Sequence, residues 1–215
     1  MNSARKYKKE YFIIRYIFAI TRSSKPTRGQ AVPPFKQLLC GRPLLEALVG
    51  EKMIKEVNKS DVSECVKVIR SSFMTIAEQF GFTIENAPRF TAFATTEERL
   101  LYQLDNEPRY MFAYSNSDGK IIGYYSLLMQ GKGECELNNL CVLPEYRHRK
   151  IGQKLLKDAY SQAEAHDCTK INIGIVEENT ILRQWYEKEG FVHIGTEKFD
   201  FFPFTCGYMV KELHH

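Results

Sequence analysis

No CxxC pair occurs among the six cysteines of this 215-residue chain, which stand at positions 40, 65, 135, 141, 168 and 206. With neither paired spacing nor the density of a small secreted scaffold, they read as reduced thiols of a cytoplasmic protein, and no metal site is expected. Neither GxGxxG nor GxxxxGK[ST] is present, which removes the dinucleotide-fingerprint and P-loop readings. No apolar run reaches the roughly 20 residues of a membrane-spanning helix. The nearest, Tyr11 to Ile20, is broken by Arg15; it follows Arg5-Lys6-Tyr7-Lys8-Lys9 in the manner of a signal peptide, yet no clear small-residue cleavage site comes after it. Neither secretion nor a membrane partner is therefore expected.

What is present is ordinary for a globular protein: 44% hydrophobic and 26% charged residues, in a chain long enough to bury one full core. The net charge of +4 hides an asymmetry. Residues 1–50 hold ten Lys or Arg against Glu10 and Glu46, a balance of +8, so the rest holds 20 against 24, a balance of −4. Basicity thus belongs to the N-terminal stretch, and nucleic-acid binding by the main domain is not expected. Thr21 to Pro34, rich in Ser, Thr, Pro, Gly and Arg, reads as linker or disorder, and the composition also permits a transit peptide. The plainer expectation is a domain over 53–215 and an extension over 1–52 that is disordered or not native, with Met53 as the candidate start. His214 and His215 are native or a tag remnant.

From Met53 onward the pattern is regular. A strand at 53–57 leads to a helix from Asp61 to Phe80, with apolar residues at helical spacing and a capping-box-like Asp61 and Glu64. An irregular stretch through Pro88 to Phe93 precedes a second helix, Thr96 to Leu104, opened by Thr95 and Glu98. Strands at 109–115, 120–130 and 134–143, punctuated by Asn116-Ser117-Asp118-Gly119 and Gly131-Lys132-Gly133, predict an antiparallel meander. A helix from Lys150 to His166 and a strand at Lys170–Val176 imply a parallel crossover. A last helix over Asn179–Glu189 and strands at 191–199 and 204–212 complete the chain.

One stretch organises the rest: Asn139-Leu140-Cys141-Val142-Leu143-Pro144-Glu145-Tyr146-Arg147-His148-Arg149-Lys150-Ile151-Gly152-Gln153. A buried strand, a proline stop, four consecutive basic residues and a helix start make an anion cradle, because the first amides of a helix lack internal acceptors and carry the positive end of its dipole. A solvated basic loop is the alternative.

With the elements in this order, the chain resembles the GNAT superfamily of acetyl-CoA-dependent N-acetyltransferases over about residues 53–212. Arg147-His148-Arg149-Lys150-Ile151-Gly152 matches the family's Arg/Gln-x-x-Gly-x-Gly/Ala turn, with Lys150 in place of the first Gly. Asn179, Leu182, Tyr186, Gly190 and Phe191 match its Asn-x-x-Ala-x-x-x-Tyr-x-x-x-Gly-Phe pattern, with Leu182 in place of Ala. The resemblance implies an α/β GNAT (acyl-CoA N-acyltransferase) fold, a mixed central sheet of about six to seven strands flanked by about four helices.

It also implies acetyl-CoA as co-substrate. Its pyrophosphate would lie on the amides of Arg147, His148, Arg149, Lys150, Ile151, Gly152 and Gln153, at the helix start. Its pantetheine arm would run along the main chain of Leu140, Cys141 and Val142, and Asn179 would contact it. The side chains of those strand residues, Cys141 included, read as packing. Tyr186 would be the general acid that protonates the departing thiolate. An attacking amine must first lose a proton, and Glu136, two positions before Asn138 on the central strand, is the candidate base, with Glu134 and Asn138 as weaker contenders. The implied activity is transfer of an acetyl group to a primary amine by direct attack in a ternary complex; the alternative is an acyl-CoA-binding sensor without turnover. The acceptor, a small-molecule amine or a peptide, is not legible, and a homodimer is a permitted assembly. Phe199, Phe201, Phe202 and Phe204 form either an aromatic-walled acceptor site or a packed turn, while Phe82, Phe90 and Phe93 read more readily as core.

Overall fold

A computed structural model describes residues 53–213. The expectations for residues 1–52 and for His214 and His215 lie outside the described residues. Strand β1 (Ile54–Glu56) leads through a 3-10 turn (Lys59–Asp61) into α1 (Val62–Phe80), followed by α2 (Thr91–Ala94), α3 (Glu97–Asn106), β2 (Arg109–Ser115), β3 (Ile121–Gly131) and β4 (Glu134–Val142). A second 3-10 turn (Pro144–Tyr146), α4 (Ile151–Ala165), β5 (Lys170–Val176), α5 (Thr180–Lys188), β6 (Val192–Lys198) and β7 (Thr205–Glu212) follow.

Helix starts are set by side chains that satisfy free amides, and here two of them differ from the sequence expectation. The capping box is not at Asp61 and Glu64. Asn58 accepts from the Ser60 amide at 2.9 Å while Asp61 accepts from the Asn58 amide at 3.0 Å, one turn earlier. Glu64 instead accepts from the Ile121 amide at 3.0 Å and ties α1 to the start of β3. The cap of α3 is Thr96, which accepts from the Arg99 amide at 3.1 Å, rather than Thr95, whose hydroxyl donates to the Thr91 carbonyl. That bond closes the four-residue α2, formed in the stretch read as irregular. With it the described residues hold five helices, in keeping with the expected number of about four.

The seven strands form one sheet in the order β1-β2-β3-β4-β5-β7-β6. All neighbours are antiparallel except β4 and β5, which α4 joins as the expected parallel crossover. On one face α4 buries Ile151, Leu155, Leu156, Ala159 and Ala163, an i, i+4, i+8, i+12 stripe with one added leucine. On the other face α1 presents Val62, Cys65, Val66, Ile69 and Ser72. Between the helices, Leu127, Ile171 and Met209 have no solvent exposure.

A second core joins the end of α1 and the segment around α2 to the β6–β7 loop. Phe82, Phe90, Phe202 and Phe204 are all buried there, with ring centroids 4.6–5.9 Å apart in the contacting pairs. These four are therefore packing; of this group of phenylalanines Phe201 is exposed, beneath the Arg89 guanidinium at 4.8 Å. Among the described residues no helix is long and apolar enough to cross a membrane.

Candidate functional site

Strands β4 and β5 pair over three residues only, Glu134 to Glu136 with Lys170 to Asn172. Beyond Glu136 they separate: β5 stays paired with β7 along its whole length, and β4 stays with β3. A bulge bends β4 at the opening, where Asn139 adopts a φ of 53° and residues 139 and 140 together oppose Tyr125. From Leu137 onward the β5-facing edge of β4 has no strand partner among the described residues. Peptide groups on such an edge need a hydrogen-bonding partner from outside the sheet. Leu140 is half-buried, and Cys141 and Val142 are buried, so their side chains are core; the Leu143 amide bonds to Ile122 on β3, and by strand alternation Cys141 faces β3 too while the main chain of Leu140 and Val142 borders the opening. Burial pushes the Cys141 thiol up to about 12, which keeps it protonated and unreactive.

The open strand runs into the basic turn. His148 and Lys150 both hold φ at 61°, in the left-handed region, and Lys150 is the residue from which α4 starts. Each costs about 1–2 kcal/mol for a residue with a Cβ. Lys150 thus takes a left-handed conformation that glycine adopts readily. Among the described residues no side chain caps α4. Lys154 is the first amide to find an acceptor, the Lys150 carbonyl, and the amides of residues 148–153 have none among the described residues. Alternating left-handed residues with consecutive free N–H groups are a nest for an anion.

Side chains divide the work. His148, Arg149 and Lys150 are exposed, and Arg149 lies over the Tyr146 ring at 5.3 Å. The Arg147 side chain turns inward: Nη2 donates to the Ser72 carbonyl at 2.9 Å and to Thr75 Oγ1 at 3.1 Å, and Nε to the Val142 carbonyl at 3.3 Å, while its amide, expected on the anion, donates to the Pro144 carbonyl at 3.2 Å. A long planar donor finds three inward acceptors, so Arg147 anchors the turn to α1 and occupies one of the carbonyls of the open strand. Gln153 likewise spends its side chain on Glu189 at 2.9 Å. At Gly152 a Cβ would meet only Trp185, at 3.9 Å; packing does not demand glycine there, and the helix start is open to close approach.

Glu136 stands at the apex of the opening, paired with Asn172 just before the strands part. It is 9% exposed, and burial pushes its carboxyl above the usual carboxylate range, opposed by Asn138, Arg109 and Gln130. Asn138 Nδ2 donates to Oε1 at 2.6 Å and Gln130 Nε2 to Oε2 at 3.1 Å. Of the weaker contenders, Glu134 takes a 3.4 Å bond from Asn172, and Asn138, an amide, serves Glu136 rather than replacing it.

On the opposite side Tyr186 is 6% exposed, flanked by Trp185 and by Phe191 at 4.8 and 5.2 Å between ring centroids. Burial raises its phenol well above 10, reinforced by Tyr160 and Cys141, so it stays protonated. Among the described residues nothing hydrogen-bonds its hydroxyl. Asn179 is buried and caps α5, accepting from the Leu182 amide at 3.2 Å, which leaves its amide nitrogen as the free donor. Gly190 ends the helix at a φ of 89°, letting the Phe191 amide return to the Tyr186 carbonyl.

Arg109, Ser126, Gln130, Asn172 and Tyr208 escaped the sequence reading. The available signal was Ser126 and Gln130, polar residues on the same face of the otherwise apolar β3.

A model described as the acetyltransferase (GNAT) family matches residues 78–191, more than half of the chain. An uncharacterised N-acetyltransferase of Mycobacterium tuberculosis (strain H37Rv) is 27% identical over 93 residues, 43% of this chain and 60% of that protein. A counterpart from Mycobacterium bovis aligns to the same extent. The chain therefore spans less than two thirds of the length of these curated relatives. Among solved structures, the PaiA N-acetyltransferase from Thermoplasma acidophilum in complex with coenzyme A superposes with a TM-score of 0.62 at 20% identity, covering 74% of this chain and 98% of that one. The ribosomal-protein-S18-alanine N-acetyltransferase from Escherichia coli gives 0.59 at 15% identity, covering 75% and 94%. At such identities these likenesses concern the fold, a mixed sheet opened between β4 and β5. The family match over more than half of its length shows that the chain belongs to the acetyltransferase (GNAT) family.

Proposed function

We propose that this protein transfers the acetyl group of acetyl-CoA to a primary amine, by direct attack of the amine in a ternary complex. The observation that carries this is the continuity of the unpaired β4 edge with the nest of free amides at residues 148–153. The two suit the two halves of the co-substrate. The nest, with exposed His148, Arg149 and Lys150, matches a pyrophosphate. The strand edge at Leu140 and Val142 matches the amide-bearing pantetheine arm, with the Asn179 amide nitrogen as a further donor. Gly152 leaves the approach clear. When bound, acetyl-CoA would supply an activated acetyl thioester.

The chain's own groups supply the proton transfers. An alkylammonium, with a pKa near 10.4, must be deprotonated before its nitrogen can attack. The Glu136 carboxylate accepts that proton, directly or through water; its raised affinity for protons makes it a better base than an ordinary surface glutamate. The Tyr186 hydroxyl, buried, protonated and without a hydrogen-bond partner among the described residues, donates to the departing thiolate. Direct attack needs no acyl carrier, and the buried Cys141 thiol is not suited to be one.

Two measurements test the proposal. Acetyl-CoA should raise the melting temperature by mass action, and incubation with a panel of primary amines should release free thiol and yield a product heavier by one acetyl group. No thermal shift at millimolar acetyl-CoA removes the co-substrate. A shift without thiol release across the panel removes the enzyme and leaves an acyl-CoA-binding module.

A further inference from the structure

Arg109 opens β2 with its side chain only 8% exposed. A guanidinium so withdrawn from water needs partners for its donors. Outward, Nε pairs with Glu107 at 2.8 Å. Inward, Nη1 donates to Ser126 Oγ at 3.0 Å and to Asn138 Oδ1 at 2.6 Å. The bond to Asn138 decides which way that amide faces. Its oxygen must point at Arg109, which cannot accept, so its nitrogen points at Glu136 and donates to Oε1 at 2.6 Å. With Gln130 on Oε2, each carboxylate oxygen holds one donor and keeps a lone pair free.

We propose that Arg109 is the positioning residue of this site: acting through Asn138, it holds the Glu136 carboxylate in one orientation and offsets its charge. The inference rests on Glu136 serving as the base. The groups around that carboxylate come from every strand packed beside it. From β2 and the residue run before it come Arg109 and Glu107, and from β3 Gln130, with Ser126 and the buried Tyr124 beside Arg109. Glu134, Cys135 and Asn138 share β4 with Glu136, Asn172 faces it from β5, and Tyr208 senses its charge from β7. Arg109 brings the cationic charge, while Glu107 opposes it. Burial favours the neutral carboxyl; Arg109 and the two amides favour the carboxylate. Removing the cation should therefore let Glu136 keep its proton to higher pH.

The test compares Arg109→Met, Arg109→Lys and Asn138→Leu with the wild type. It reads the carboxyl titration of Glu136 by 13C NMR and the acid limb of the kcat/KM profile. Arg109→Met should move both upward by about one pH unit. Arg109→Lys, which keeps the charge and loses the planar fork, should fall between it and the wild type. Asn138→Leu keeps the Arg109 bonds to Glu107 and Ser126 but removes a donor from Glu136, so it should also move the midpoint up. If Arg109→Met does not fold, the Asn138→Leu midpoint decides. A uniform loss of kcat with an unmoved midpoint would mean that Arg109 merely stiffens the sheet, and the proposal would be overturned. Glu136→Gln separates the two layers. If it retains the acid limb, the base assignment falls and this inference with it; if it loses the limb while Arg109→Met leaves the limb in place, only the positioning role falls.

Discussion

Gly152→Asp should split stability from binding. Helix α4 starts at Ile151, so residue 152 lies in its first turn. A Cβ there makes only an ordinary 3.9 Å contact with Trp185, and the backbone is not left-handed. An aspartate is no worse a helix former than glycine, and its charge at a helix start is worth about 0.3–1 kcal/mol. The ligand-free variant should thus melt no lower than the wild type. The same carboxylate stands before the free amides of residues 151–153 and repels a pyrophosphate. A like charge at about 4 Å costs roughly 1 kcal/mol in bulk water and roughly 4 kcal/mol at an effective dielectric of about 20. Affinity for acetyl-CoA should fall between about fivefold and a thousandfold. Calorimetric titration at two salt concentrations, beside ligand-free melting, measures both effects; Gly152→Ala, which adds volume without charge, should lose far less. Binding within twofold of the wild type would refute the pyrophosphate position, and a large drop in ligand-free melting would refute the open geometry at residue 152.

Lys150→Gly relieves about 1–2 kcal/mol of left-handed strain but adds about 0.5–1 kcal/mol of unfolded-chain entropy, so urea denaturation should show little net change. Its acetyl-CoA affinity should change less than that of Gly152→Asp or Arg147→Ala; the reverse order would count against this placement of the cradle. Arg147→Ala removes the bonds to Ser72, Thr75 and Val142 and should cost about 1–3 kcal/mol of stability. An unchanged denaturation midpoint would contradict the anchoring role. Tyr186→Phe deletes a hydroxyl without a partner among the described residues, so melting should hold while kcat drops by about a hundredfold; wild-type turnover would rule out the acid role. In the wild type, kcat/KM should fall on the acid side with a midpoint above the ordinary carboxylate range, because burial makes Glu136 hold its proton and only the ionised form accepts another. Glu136→Gln should flatten that limb, as a pH series would show.

Features that depend on neighbours along the chain were legible in the sequence. The meander, the crossover and the turn from Pro144 to Gly152 stand where periodicity and punctuation put them. The slips are local competitions between similar residues. Thr95 and Thr96 both offer a hydroxyl, and which one caps α3 depends on α2 closing on Thr95 first. Asn58 outcompetes Asp61 because a 3-10 turn precedes α1. Lys150 was the weakest point of the family pattern, since sequence shows the absent glycine and not the φ that a lysine can adopt when the turn requires it. The phenylalanines of the β6–β7 loop could not be divided between wall and core, because their partners lie more than 100 residues earlier, at Phe82 and Phe90.

By itself, then, the sequence determined the order of elements and the charge of the basic turn, because both are written in local spacing and residue type, while the two candidates for proton transfer came from the chain's resemblance to a family. Tertiary structure alone decided where β4 and β5 part, which way Arg147 turns and which groups surround Glu136. Strand partners and side-chain directions are set by contacts between segments far apart in the chain. The inward turn of Arg147 follows from acceptors on α1, and the ionic surroundings of Glu136 follow from an arginine on a strand two places away in the sheet.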